Sequence, residues 1–280
     1  MELPSSLSVL SFNVELDPRS SQANIARLQE AAATAGEAAD SADRRIALLP
    51  ERWWRDDDEP AYRAAVQELA GRWSCWVVGG SMHAERHDGT TRNLGLLAAP
   101  DGSEHGTYEK RHPFAAEALA GVTAGTGPAG FDLDGVRITV AICADLFDPA
   151  LFRGAGPDDP AAILVCAAST SRKPDPAFAR ALWTHVATAR AWERNAHVAI
   201  ADWAHAPHLP GVRTCGVSGH ADPTRETPPF FAPTPAPAAW LHLPLGPLAR
   251  LRRDRLSRNF LWPADPAGEA ASNGSRRHPA

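Results

Sequence analysis

The 280-residue chain carries 28 basic and 33 acidic residues, a net charge of −5 at pH 7, and is 44% hydrophobic. That balance excludes a general attraction to nucleic acid or anionic membranes, and no apolar run approaches the roughly 20 residues that span a bilayer. The cysteines (Cys75, Cys143, Cys166, Cys215) are widely separated, which predicts reduced thiols in a cytoplasmic protein, and Met1-Glu2-Leu3-Pro4 lacks the basic-then-apolar start of a signal peptide.

Taken in order, Leu7 to Val14 alternates and predicts a first strand. A helix follows, capped by Ser20 or Ser21, with Ile25, Leu28 and Ala32 on one face. Ile46 to Leu49 is a short buried strand that ends abruptly at Pro50-Glu51, with Trp53 and Trp54 just beyond. Glu59-Pro60 opens a second helix through about Arg72, with Ala65, Val66 and Leu69 inward. Cys75 to Gly80 and Asn93 to Ala99 predict strands joined by a polar loop, and Thr107 to Lys110 a weaker strand. The glycine-rich stretch Ala120 to Gly130 predicts a loop.

Asp134-Gly135 between apolar runs predicts a tight hairpin, whose second strand runs from Val136 to Ile142 and stops at Cys143. Asp148-Pro149 predicts a helix start soon after, so the thiol has a helix N-terminus nearby to lower its pKa. Read alone, Cys143 is better taken as a small core residue, and what shifts that reading lies upstream. A strand at Ala162 to Ala168, a helix from about Asp175 to Asn195, and strands at Val198 to Trp203 and Gly216 to His220 come next. Pro223 to Pro247 is proline-rich, and 263–280 predicts a disordered tail. Helices mixed with strands, some joined as hairpins, predict an α/β (α+β) chain with a mixed sheet covered by helices, folded as one domain over residues 1–262.

Three reactive side chains stand at the ends of predicted strands: Glu51, Lys110 and Cys143. A cysteine nucleophile needs a base for its proton and a positive group where charge develops on the substrate oxygen, and this trio meets both needs without histidine or metal.

Six motifs in order carry a resemblance to the nitrilase superfamily, the carbon–nitrogen hydrolases. They are Ser11-Phe12-Asn13-Val14; Leu49-Pro50-Glu51; Asn93-Leu94 with Tyr108 to Phe114; Ile142-Cys143-Ala144-Asp145; Trp183 with Ala189-Arg190-Ala191-Trp192-Glu193; and Gly216-Val217-Ser218 with Asp222-Pro223. The resemblance implies an α-β-β-α sandwich that dimerises through helices after the nucleophile and near the chain's end. It implies Glu51 as general base, Lys110 as oxyanion stabiliser, Cys143 as nucleophile and the Ala144 N–H as second oxyanion donor. Glu117 is the one glutamate in range to be the family's substrate-orienting acid. Trp53, Trp54, Phe114, Trp203 and Ser169 are candidate pocket residues. The family's tyrosine after the cysteine is Ala144, the Cys-Trp-Glu of true nitrilases is absent, and Arg194 replaces a common asparagine. The implied activity is cleavage of a small amide or N-carbamoyl compound through a thioester, with no cofactor. Acyl transfer from the same thioester, or a catalytically silent binding protein, are the alternatives.

Other signals carry less. Gly125 to Gly130 matches a dinucleotide pattern but neither follows a strand nor opens a helix. Gly216-Val217-Ser218-Gly219 lacks the spacing of a serine-hydrolase elbow, which assigns Ser218 a structural role. His205, His208, Cys215 and His220 follow no standard zinc spacing, so no metal is expected.

Overall fold

The computed structural model describes residues 5–38, 44–114, 116–152, 159–209 and 211–258. The first half runs β1 (Ser6–Val14), α1 (Ser21–Ala35), β2 (Arg44–Leu48), α2 (Glu59–Trp73), β3 (Trp76–Val78), β4 (Met82–Glu85), β5 (Thr91–Ala98), β6 (Glu104–Glu109) and a short α3 (Ala116–Leu119). The second begins with β7 (Ala129–Leu133), β8 (Val136–Ile142), β9 (Ala162–Cys166), β10 (Thr170–Ser171), α4 (Ala177–Arg194) and β11 (His197–Trp203). It ends with β12 (Pro207–Leu209), β13 (Val212–Thr214), β14 (Gly219–Ala221), β15 (Phe231–Pro233), β16 (Ala238–Pro244) and α5 (Leu245–Ser257).

Local chemistry explains the boundaries. The Ser20 hydroxyl accepts the Ala23 N–H at 3.1 Å and Asp58 accepts the Ala61 N–H at 2.9 Å, so both early helices start on side-chain caps. Asp134 and Gly135 both have positive φ (52° and 90°), as the tight hairpin between β7 and β8 demands.

Thirteen strands follow one curled path, β4-β5-β3-β2-β1-β11-β9-β8-β7, with β6 on β5, β16 on β1, β14 on β11 and β15 on β14, while β10, β13 and β12 form a small separate sheet. Within the large sheet, the two halves join through the parallel pairing of Asn13 and Val14 with Asp202 and Trp203. The halves then face each other: Tyr108 of β6 meets the Phe131 ring of β7 at 6.5 Å, and its hydroxyl lies 3.7 Å from Cys166 Sγ of β9. Helices α1 and α2 cover the first half, and α4 covers β11 and β14 of the second, giving an α-β-β-α sandwich. Among the described residues no helix is long and apolar enough to cross a membrane.

Three expectations change. Among the described residues, Asp148-Pro149 opens a 3-10 turn, Pro149–Phe152, instead of an α-helix, and a first 3-10 turn, Cys143–Phe147, precedes it. The polar loop before Asn93 contains β4, paired antiparallel with β5. The proline-rich stretch holds β15, β16 and the start of α5, because β16 zips antiparallel along seven residues of β1. The boundary at 262 and the tail 263–280 lie outside the described residues.

Candidate active site

Each member of the predicted trio leaves the end of a strand into one cavity of about 350 Å³, lined by Glu51, Lys110, Glu117 and Cys143 among others. Glu51 sits three residues after β2, and its backbone is stitched to the other half of the sandwich. Its N–H donates to the Ala167 carbonyl at 3.1 Å, and its carbonyl accepts the Trp203 indole N–H at 2.8 Å. One carboxylate oxygen accepts Lys110 Nζ at 2.6 Å and Asn93 Nδ2 at 2.9 Å; the other accepts the Ala168 N–H at 3.0 Å.

Lys110 follows β6 and is 2% exposed, so its ammonium must be matched in place. Glu51 supplies one carboxylate and Glu117 the second, at 2.5 Å. Burial alone disfavours the ammonium, but attraction to Glu51, Cys143 and Glu117 prevails and raises the Lys110 pKa above the ordinary lysine value. Burial likewise opposes a charged Glu117, yet hydrogen bonding from His83 and the Lys110 charge hold its carboxyl well below the usual range. Asn93 Nδ2 bridges the two acids, 2.7 Å from Glu117 Oε1.

Cys143 opens the 3-10 turn with a φ of 48°, a left-handed conformation that costs a non-glycine residue energy and turns the chain sharply at the strand end. Its surroundings hold that turn. Asp145 accepts the backbone N–H groups of Arg111 (3.0 Å) and His112 (2.8 Å), Arg190 of α4 donates to the Leu146 carbonyl at 3.1 Å, and the Phe147 ring meets Trp183 edge-on at 5.0 Å. The tryptophan and arginine of the α4 motif therefore support the turn that Cys143 opens. The thiol pKa runs opposite to expectation. Burial and the Glu51 charge push it well above the ordinary cysteine value, with Lys110 opposing only in part. Attack by this sulfur therefore calls for a base to take its proton.

A second cavity of about 770 Å³ adjoins the first at Cys143 and Phe114, and is lined by Ala144, Ser169, Phe147, Phe178, Leu182 and Trp183 among others. Phe114 thus lines both cavities and Trp203 the first. The Ser169 hydroxyl is taken by Asp202, which burial pushes up to about 6 despite donors from Ser169 and Val217. Trp53 and Trp54 line neither cavity. Trp53 is fully buried, its indole N–H donates to the Gly79 carbonyl at 2.6 Å, and both rings pack on Tyr62 of α2. Sequence reading missed Arg52, Arg55, Arg172 and His208 as cavity residues, and Asp145 and Asn93 as the groups that position the trio. Ser218 donates to the Phe12 carbonyl and accepts the Asp202 N–H, while His205 bonds the Thr214 carbonyl and His220 lies against His197.

The carbon-nitrogen hydrolase family matches residues 15–226. The chain belongs to that family, whose members cleave carbon–nitrogen bonds other than peptide bonds. Solved structures share the fold. A CN-hydrolase superfamily protein from Xanthomonas campestris with an arsenic adduct in its active site is 21% identical, with a TM-score of 0.72, over 89% of this chain and 94% of that one. Saccharomyces cerevisiae Nit3, of branch 10 of the nitrilase superfamily, is 16% identical, with a TM-score of 0.73, over 89% and 94%. A double mutant of the Nesterenkonia sp. AN1 amidase in complex with acrylamide is 18% identical, with a TM-score of 0.68, over 93% and 99%. No curated protein matches the chain.

Proposed function

We propose that the protein is a cysteine-dependent amidohydrolase that cleaves a small amide or N-carbamoyl compound through a thioester on Cys143. One observation carries the reading: a buried lysine, clamped between Glu51 and Glu117, lines the same cavity as the cysteine. Glu51 takes the Cys143 proton, and the thiolate attacks the carbonyl carbon. The Lys110 ammonium and the Ala144 N–H stabilise the oxyanion, each donor worth about 3–4 kcal/mol in comparable sites. Protonated Glu51 gives its proton to the departing nitrogen, then takes one from the water that hydrolyses the thioester, releasing the acid and the free thiol. Glu117 orients Lys110 and the substrate amide.

Phe178 and Leu182 of α4 and Leu256 of α5 are exposed apolar side chains, and they support a homodimer through those helices. All four cysteines are free thiols, which supports a reducing, cytoplasmic setting. The deciding experiment is ammonia release from small amides by the wild type, Cys143→Ala and Cys143→Ser, with mass spectrometry of the acylated protein. An acyl adduct on Cys143 and turnover below one-hundredth of wild type in both variants are expected. Turnover above one-tenth removes Cys143 as nucleophile.

A further inference from the structure

The whole chain is acidic, with a net charge of −5, yet the Cys143 cavity has the opposite sign. Arg52, Arg55, Arg172 and Lys110 line it against only two carboxylates, Glu51 and Glu117. Both of those acids are committed to Lys110. None of the three arginines forms a salt bridge among the described residues; the Arg55 guanidinium is hydrogen-bonded to the carbonyls of Pro18 (2.8 Å) and Arg52 (3.4 Å), and the Asp17 carboxylate offsets its charge only from a distance.

Arg52 has the further mark of a built position. It follows Glu51 directly with a φ of 53°, and its buried Nε has no hydrogen-bond partner among the described residues. That strained backbone is fixed by the Arg52 N–H donating to Ser81 Oγ at 3.1 Å. His208 lines the same cavity with a buried Nδ1 that likewise has no partner among them. Burial and the charges of Arg55 and Arg52 push its pKa down to about 4, so the imidazole adds no charge and can donate or accept at neutral pH. A neutral amide gives such a cluster nothing to neutralise. A planar anion with two oxygens matches the guanidinium fork.

Resting on the amidohydrolase reading, we infer that the amide cleaved at Cys143 carries a carboxylate, held in the cavity by Arg52 and Arg55 with Arg172 completing the positive wall. A cavity of about 350 Å³ suits a compact amide-acid of this kind.

The test pairs substrates that differ only in the distal group: succinamate against butyramide, each followed by ammonia release. The wild type is expected to prefer succinamate at least tenfold in kcat/KM. Arg52→Gln and Arg55→Gln are expected to shrink that preference at least fivefold through KM. Glutarate and the uncharged 1,5-pentanediol are then compared as protectants of Cys143 against iodoacetamide. Slowing of alkylation by glutarate alone is expected, and it needs no variant to fold. Equal hydrolysis of the two amides, or equal protection by diol and diacid, overturns the carboxylate assignment while leaving the hydrolase reading intact. Failure of every amide to release ammonia or to acylate Cys143 removes that reading, and this inference with it.

Discussion

Asp145 accepts the backbone N–H of His112 at 2.8 Å, and that bond ties the turn opened by the nucleophile to the loop that follows the buried lysine. The proposed nucleophile and the proposed oxyanion lysine, from opposite halves of the sandwich, are thereby set in register by a side chain that need not touch substrate.

Asp145→Ala is accordingly expected to expose this dependence. It leaves the Arg111 and His112 N–H groups without acceptors in a buried setting, a cost of about 2–4 kcal/mol. Denaturant unfolding should show that loss, with kcat falling on the order of 10²-fold as Lys110 loosens. A variant of undiminished stability and rate would sink the positioning role.

Asn93 and Glu117 act on Lys110 and Glu51 as one unit, because a single amide group bridges both acids. Asn93→Ala and Glu117→Gln should each lower kcat by roughly 10²-fold, and the double variant should fall far short of the product. Strict multiplication of the two single effects in a double-mutant cycle would show independent action.

Gly80→Ala probes the floor beneath the base. Gly80 has a φ of +66°, and an added Cβ would sit 2.1 Å from the Pro50 carbonyl, one residue before Glu51. The substitution should cost about 2–4 kcal/mol and displace Glu51, so activity measured well below the melting temperature should fall too. Calorimetry and kcat on the same preparation check both effects.

Acid stability has two opposed contributions near the site. The lowered His208 pKa, about 4 against an ordinary 6.5, means stability that is intact above 6.5 and lost as pH falls through 4. The raised Asp202 pKa, about 6 against 3.8, runs the other way: its contribution is full below 3.8 and lost as pH rises through 6. Between pH 6.5 and 4, His208→Gln should remove up to one proton from the uptake on unfolding, and the slope of unfolding free energy against pH measures it. An unchanged slope would contradict an uncharged His208.

Most of the sandwich is legible in the sequence wherever an apolar run ends at a reactive side chain: Leu49 before Pro50-Glu51, Ile142 before Cys143. Those interruptions place the trio because catalytic groups must leave the core at strand ends. What could not be read depended on partners distant in the chain. β16 looks like a proline-rich loop until β1 supplies its hydrogen bonds, and β4 is too short to show a period. Trp53 resembles a pocket residue by its closeness to Glu51, but Gly79 and Tyr62 draw it into the core. The direction of the Cys143 shift was hidden for the same reason, since Glu51 lies 92 positions away in sequence yet acts on the thiol. The arginine wall had no signal at all beyond three surface-like residues.

The strand ladder across the seam between the two halves of the sandwich is short, Asn13 and Val14 on Asp202 and Trp203, with single bonds such as those at Glu51 beside it. The base and the amine stand on one side of that seam and the sulfur on the other, so the enzyme doubles as its own strain gauge. A slight parting of the halves would disconnect the chemistry while every helix and strand persisted. Under gradually rising urea, inactivation should run ahead of the loss of ellipticity, and a small ligand bridging both walls should bring the two transitions together.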